Sequence, residues 1–143
     1  KKPIKIRDQS VDYIIYCATP KIQDNNCEAF DFALYEKFRE CFVFSFKRIM
    51  SQLIELNSER LKAIFYPSTV FIDSKPYKYR EYCAAKLEGE QICEELSLAN
   101  NNIKIIAKRL DELETDQNLS FVKSNQGKNI ETSISILDAI SIR

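Results

Sequence analysis

Tyr82 and Lys86 are the two residues of this chain whose types and spacing are best suited to chemistry. Residues four apart share one face of a helix, so the phenol and the ammonium group can project into the same crevice. A free phenol with a pKa of about 10 is a poor acid-base group at neutral pH, but a cation within about 4 to 6 Å lowers that pKa. The pair therefore suits proton transfer to or from a carbonyl or alcohol oxygen.

Two adjacent hydroxyl residues, Ser68 and Thr69, follow an apolar segment that precedes the Tyr82 helix. Either hydroxyl would lie at the carboxyl end of a predicted strand, which is where open α/β sheets place their ligands. There it could hold a substrate oxygen while Tyr82 passes its proton. The residues alone leave both hydroxyls as candidates.

Other chemistry is restricted by composition. The chain of 143 residues contains no histidine, which excludes Ser-His-Asp and Cys-His catalysis. Its five cysteines show no C-x-x-C spacing. We therefore expect reduced, mostly buried thiols and no metal site.

The charge balance predicts which partners are absent. Lysine plus arginine and aspartate plus glutamate both number 21, so there is no net field to attract nucleic acid or anionic lipid. No apolar run approaches the roughly 20 residues of a membrane helix. We expect a cytoplasmic domain without nucleic-acid or membrane partners. Four glutamates are expected to be exposed charges on a helix: Glu88, Glu90, Glu94 and Glu95.

Strands and helices are predicted to alternate along the chain. Runs of β-branched and aromatic residues predict strands at 11–18, 61–66 and 103–107, the second of them ended by Pro67. Apolar residues at steps of three and four predict helices at 31–56, 77–98 and 130–142, with a polar loop at 111–128. Such alternation gives right-handed crossovers, and hence a parallel sheet with helices on its faces.

Three segments together resemble the short-chain dehydrogenase/reductase family. The run Glu81-Tyr82-Cys83-Ala84-Ala85-Lys86 is similar to that family's active-site helix, and Ile64-Phe65-Tyr66-Pro67-Ser68-Thr69 is similar to the strand that ends in its catalytic hydroxyl. The run from Val11 to Thr19 looks like the family's fourth strand and the segment behind the cofactor. The resemblance implies a Rossmann-like, doubly wound parallel α/β sheet, present here in part, as strands 4 to 6 and their helices.

The resemblance also implies roles for the candidate residues. Tyr82 would be the general acid-base, and Lys86 would tune it and hydrogen-bond the nicotinamide ribose. Ser68 and Thr69 compete for the third role, with Thr69 in the slot that the family uses for catalysis. The implied cofactor is NAD or NADP, the implied substrate is a small carbonyl or alcohol, and the implied cofactor contacts are Lys86, Ala18, Thr19 and Thr115.

Two departures from the family pattern affect these expectations. The chain has only Gly89 and Gly127, so it lacks the glycine-rich turn that cradles a pyrophosphate. The middle helix reads Phe38-Arg39-Glu40-Cys41-Phe42-Val43-Phe44, without the asparagine of the family's proton relay.

We therefore expect residues 1–143 to form a single partial catalytic domain that lacks the cofactor-binding half. It would belong to a larger parent polypeptide or to a homodimer. Two alternatives remain beside the oxidoreductase: a nucleotide-sugar epimerase or dehydratase, and a non-catalytic interaction or scaffold domain on the same fold.

Overall fold

The computed structural model describes residues 10–111 and 126–140, with only the backbone described for residues 126–130. The described residues form strands and helices in alternation. In chain order they are β1 Tyr13–Ile15, α1 Phe32–Arg39, a π-helical segment Glu40–Ser45, α2 Phe46–Leu56, β2 Ala63–Thr69, α3 Phe71–Ser74, a 3₁₀ turn Tyr77–Tyr79, α4 Arg80–Ala99, β3 Lys104–Leu110 and α5 Gln126–Ile140.

The sheet is parallel, with the strand order β1-β2-β3. β1 pairs with β2 only as far as Phe65, whereas β3 pairs with β2 along its whole length to Thr69. The predicted partial Rossmann-like α/β fold is therefore confirmed. The carboxyl end of β2 carries Ser68 and Thr69, as the sequence predicted.

Helices cover both faces of this sheet. α4 packs on β2 and β3 and against α1 and the π-helical segment, and α5 packs on β2 and β3. Alternate residues of β2 enter two different cores: Ile64 and Tyr66 join the cluster under α1, α2 and α4, whereas Ala63 and Phe65 join the cluster that contains Ile140 of α5. This alternation follows from the two-residue period of a strand.

β2 does not end at Pro67, as the sequence analysis predicted, but continues through it to Thr69. The Tyr16 N–H donates to the carbonyl oxygen of Phe65 at 2.9 Å, so Phe65 faces β1. Two residues on, Pro67 faces the same side, beyond the point where β1 has ended. Because no ladder bond is needed there, the missing N–H of proline costs nothing.

The other strands also differ from their predicted bounds. β1 covers Tyr13–Ile15 rather than 11–18, since its pairing with β2 ends after the Tyr16 bond and the chain then leaves the sheet. β3 extends to Leu110 rather than stopping at 107, because β2 offers a partner as far as Thr69. The length of each strand is thus set by the strand with which it pairs as much as by its own composition.

The predicted helix at 31–56 is present but is divided by the π-helical segment. The Asp31 side chain caps its start by accepting the Leu34 N–H at 3.0 Å. The predicted helix at 77–98 begins as a 3₁₀ turn after Pro76 and becomes α-helical at Arg80. The last helix starts at Gln126 rather than 130, so the end of the predicted polar loop is helical.

The cysteines are unpaired in the structure, and fewer of them are buried than expected. Cys83 and Cys93 are buried and Cys41 is partly buried, but Cys17 and Cys27 are exposed in loops. In the described part of the chain no helix has the length and apolar character needed to cross a membrane.

Candidate active site

Thr69 and Tyr82 meet at the carboxyl end of the central strand. After β2 the chain turns through the short helix α3, passes Lys75 with a left-handed φ of 46°, and enters α4 at Arg80. The Thr69 Oγ1 accepts the Phe71 N–H at 3.2 Å, which fixes the start of the turn. The Thr69 side chain lies close enough to the Tyr82 phenol to lower the pKa of that phenol.

The Tyr82 ring is held by two phenylalanine rings of the neighbouring helix. Phe38 and Phe42 both contact it edge to face, with ring centroids 5.7 and 5.6 Å away. Only 8% of Tyr82 is exposed. Burial raises the pKa of its phenol to about 12, and the Thr69 side chain acts in the opposite direction. At neutral pH the phenol therefore carries its proton.

Lys86 lies one turn further along α4, on the same face as Tyr82. Its Nζ donates to the carbonyl oxygen of Pro67 at 2.7 Å and lies 5.9 Å from the centre of the Tyr82 ring. Lys86 is buried, and burial lowers the pKa of its ammonium group to about 8. The structure thus brings Thr69, Tyr82 and Lys86 together.

Ser68 belongs to a different set of contacts. Its Oγ donates to Glu90 Oε1 at 2.5 Å, and the Glu90 carboxylate is bound bidentately by Arg109, at 2.9 Å from Nε and 2.7 Å from Nη2. A second carboxylate, that of Asp73, lies 2.5 Å from Arg109 Nη1. The Ser68 hydroxyl is therefore engaged by this ion-pair network, whereas the Thr69 hydroxyl faces Tyr82.

The Glu90–Arg109 pair was missed by the sequence analysis, which predicted Glu90 to be exposed helix charge. The Glu90 side chain is only 15% exposed. Burial opposes its ionisation, but the hydrogen bonds from Arg109 and Ser68 hold its pKa below the usual value for glutamate. The strand register, which sets Ser68 opposite Arg109, creates the pair, and no local pattern reveals a register.

A second missed feature, the carboxylate of Glu81, anchors the loop after β1 to the start of α4. Oε1 of Glu81 accepts Asn25 Nδ2 at 2.7 Å, the Asp31 N–H at 2.8 Å and Arg80 Nε at 3.1 Å. Glu81 is 1% exposed, and its Oε2 has no hydrogen-bond partner among the described residues. Burial works against the charge, yet the hydrogen bonds outweigh it and lower the pKa of this carboxyl.

Two of the residues expected to contact a cofactor, Ala18 and Thr19, lie at the same edge of the sheet. Ala18 and Thr19 are exposed just after β1, and the Thr19 hydroxyl donates to the carbonyl oxygen of Pro20 at 3.0 Å. Thr115, the remaining expected contact, lies outside the described residues.

These groups are suited to the nicotinamide end of a dinucleotide rather than to its pyrophosphate. A phenol, an ammonium group and two hydroxyls stand at the carboxyl edge, where a nicotinamide and its ribose could be held. Among the described residues nothing comparable serves a pyrophosphate, because both glycines of the chain, Gly89 and Gly127, lie within helices. In the described part of the chain, no cluster of cysteine and carboxylate side chains could hold a metal ion.

Comparison with known proteins supports the fold. No protein-family model matches the chain, and no curated protein sequence matches it. Among solved structures, the crystal structure of a short-chain dehydrogenase/reductase from Burkholderia vietnamiensis matches with a TM-score of 0.57 at 15% identity. The match covers 86% of this chain but 53% of that one, so this chain spans about half of its length. The fold described here is therefore similar to part of a short-chain dehydrogenase/reductase.

Proposed function

We propose that this chain carries the catalytic site of an NAD(P)-dependent oxidoreductase of the short-chain dehydrogenase/reductase type, which interconverts a carbonyl and an alcohol. The observation that supports this most directly is that the Thr69 hydroxyl adjoins the Tyr82 phenol at the carboxyl end of the central strand and lowers the pKa of that phenol. Lys86 supplies a positive charge one helical turn away. The similarity of fold to a short-chain dehydrogenase/reductase agrees with the proposal.

In this proposal the protein's own residues transfer the proton to or from the substrate oxygen. Thr69 holds the substrate oxygen, and Tyr82 donates its phenolic proton to that oxygen or removes it. Since the raised pKa keeps the phenol protonated at neutral pH, the resting site is prepared for carbonyl reduction. Lys86 stabilises the phenolate that remains. A bound nicotinamide cofactor would supply or accept the hydride.

The cofactor would be held at its nicotinamide end by Lys86, Ala18, Thr19 and Thr115. A second part of the sheet, in the same polypeptide or in a partner, would supply the glycine-rich cradle for the pyrophosphate. Residues 1–143 would then be the catalytic part of a divided Rossmann-like domain.

The test is calorimetric binding of NADH and NADPH to the full natural chain, together with turnover of Tyr82→Phe. The substrate panel should include nucleotide sugars, so that epimerisation or dehydration is detected beside simple reduction. Tyr16→Phe is the matched control, because Tyr16 and Tyr82 are 7% and 8% exposed and Tyr16 donates only to the carbonyl oxygen of Cys41.

The proposal predicts micromolar cofactor binding in all three proteins and turnover that is lost in Tyr82→Phe alone. An equally large loss of turnover in Tyr16→Phe would show that removal of any buried hydroxyl is harmful. It would remove the support for Tyr82 as the acid-base group. Absence of binding by both nucleotides would contradict the proposal.

One observation favours a second candidate, an interaction or scaffold domain on the same fold. Tyr82 and Lys86 are each no more than 8% exposed, and the Lys86 ammonium is hydrogen-bonded inward to Pro67. In a scaffold, these residues serve packing alone. The scaffold predicts that neither nucleotide binds and that Tyr82→Phe changes only the stability of the protein.

A further inference from the structure

Lys86 carries a buried charge that forms no ion pair with a carboxylate in the described part of the chain. It is 6% exposed and takes part in none of the ion pairs there. Its hydrogen bond to the carbonyl oxygen of Pro67, at 2.7 Å, uses one of its three N–H groups. A buried ammonium is costly unless its surroundings compensate for the lost water.

Aromatic rings surround the ammonium group. The centroids of Phe42, Tyr66 and Tyr82 lie 4.1, 4.9 and 5.9 Å from Lys86 Nζ. A cation within about 6 Å of an aromatic face is attracted by the ring quadrupole, and the attraction grows when water is excluded. We call Phe42, Tyr66 and Tyr82 the aromatic box.

Phe42 is the member of the box nearest to the cation, and the π-helical segment sets its position. The wider turn of a π-helix changes which carbonyls are used within the helix. In this segment the Phe42 carbonyl oxygen accepts the Tyr66 hydroxyl at 3.3 Å, and the Cys41 carbonyl oxygen accepts the Tyr16 hydroxyl at 2.8 Å. Tyr66 therefore contributes its own ring to the aromatic box and also hydrogen-bonds the backbone of Phe42, a second member of the box.

We propose that Phe42 is a positioning residue for Lys86: its ring, with that of Tyr66, holds the ammonium group charged beside Tyr82 without a carboxylate in ion-pair contact. The positive charge then stays available to a phenolate at Tyr82 or to an anionic substrate oxygen beside it. The use of this charge in catalysis rests on the proposed function, whereas the positioning of Lys86 by Phe42 does not.

The chain provides a close control in Phe38. Phe38 and Phe42 are both fully buried, and their rings meet the Tyr82 ring at nearly equal distances, 5.7 and 5.6 Å, and angles, 73° and 74°. Of these two rings, only that of Phe42 lies against the Lys86 ammonium in the described contacts. The two rings thus make matching contacts with Tyr82 and differ in their contact with the cation.

Other titratable groups face Lys86 from the elements around it, and each would raise its pKa when negatively charged. They are Cys41 from the π-helical segment, Cys93 and Glu90 from α4, and Cys17 from the loop after β1. Glu90 stays ionised because it is bound by Arg109, and burial raises the pKa of the Cys93 thiol to about 12. The titration is run in a Cys17→Ser background to remove the exposed thiol.

The experiment follows the ε-carbon of Lys86 by NMR between pH 6 and 10 in ¹³C-lysine-labelled protein without cofactor. The resonance is identified by its loss in Lys86→Met. Pentafluorophenylalanine replaces either Phe42 or Phe38; it is nearly isosteric with phenylalanine, but its quadrupole is reversed. We expect the change at position 42 to lower the Lys86 pKa by about one unit, and the change at 38 to shift it by less than about 0.3 units.

Equal shifts at the two positions, or no shift at position 42, would overturn the proposal. Phe42→Leu is a second variant and should lower the pKa in the same direction. If Phe42→Leu does not fold, the isosteric substitution still decides the question. A shift confined to position 42 in a protein that binds neither nucleotide would keep the positioning role and refute the proposed function alone.

Discussion

The Thr69 hydroxyl adjoins the Tyr82 phenol between β2 and α4 and lowers its pKa, although Ser68, the neighbour of Thr69, donates to Glu90. Two adjacent hydroxyls of similar chemistry thus have different partners. The four predictions that follow test the consequences of this arrangement and of the contacts that support it.

Thr69→Val should abolish most of the activity while keeping the fold. Valine matches threonine in shape but has no hydroxyl, so the substrate oxygen loses one donor and kcat should fall about 100-fold. The Tyr82 pKa should rise further, because the Thr69 side chain lowers it. Turnover and tyrosinate absorbance during a pH titration measure the two effects.

Ser68→Ala is the control for that variant. It removes the adjacent hydroxyl from the Glu90 network and should leave both turnover and the Tyr82 titration unchanged. If Ser68→Ala were the more damaging of the two substitutions, the assignment of the catalytic hydroxyl would have to be reversed.

Lys86→Met should remove activity and stabilise the fold. Methionine fills a similar volume without a buried charge, and the free energy of unfolding should rise by about 1 to 3 kcal/mol at pH 7. Because the folded-state pKa of Lys86 is lowered to about 8, wild type gains stability as the pH rises from about 8 towards the unfolded value of about 10.4. The advantage of the variant should therefore shrink over that range.

Urea denaturation of both proteins at pH 7, 8, 9 and 10 measures this difference directly. Alkaline titrations of groups that do not face Lys86 occur in both proteins and cancel in the comparison. A difference that is constant across the range would show that Lys86 does not titrate as stated.

Gly89→Ala should destabilise the protein even though alanine is the better helix former by about 1 kcal/mol. A Cβ at position 89 would collide with the Tyr66 hydroxyl and come within 3.0 Å of the Phe42 carbonyl oxygen. Overpacking of this kind costs about 1 to 3 kcal/mol, measurable as a lower denaturation midpoint. In a Tyr66→Phe background the cost should be smaller, and strict additivity would show that the two sites do not touch.

Glu81→Gln should release the loop after β1. The neutral amide gives up charge-assisted hydrogen bonds from Asn25, Asp31 and Arg80, a loss of about 1 to 3 kcal/mol at neutral pH. Since the pKa of Glu81 is lowered on folding, its stabilisation is present above the unfolded value of about 4.3 and is lost as the pH falls through the folded value. The difference between wild type and variant should disappear in acid.

Glu95→Gln is the matched control, because the Glu95 side chain is 58% exposed and pairs with Lys47 at 2.8 Å. An exposed pair of this kind contributes little, so unfolding should change by less than about 1 kcal/mol. Amide hydrogen exchange over residues 21–30 should increase in Glu81→Gln and not in Glu95→Gln. Unchanged exchange in both would show that Glu81 does not hold the loop.

Hydrophobic periodicity and residue spacing were sufficient to predict the architecture and the Tyr82–Lys86 pair. The three strands, the alternating helices and the buried stripe of α4 follow from hydrophobic periodicity, which a single stretch of chain contains in full. The i, i+4 spacing likewise places Tyr82 and Lys86 on one face before any tertiary contact forms. The Ser68-Thr69 pair was correctly placed at a strand's carboxyl end for the same reason.

The partners of these residues depended on the tertiary structure. Strand register set Ser68 opposite Arg109, and the early end of β1 left the Pro67 carbonyl free to accept the Lys86 ammonium. Glu90, predicted to be exposed, became part of an ion-pair network for the same reason.

The π-helical segment and the aromatic box were equally invisible in the sequence, since phenylalanines at positions 38 and 42 fit any amphipathic helix. Each of these features joins residues that are distant along the chain. Their distances are decided by how the strands and helices pack against one another, and periodicity within one element carries no information about that packing.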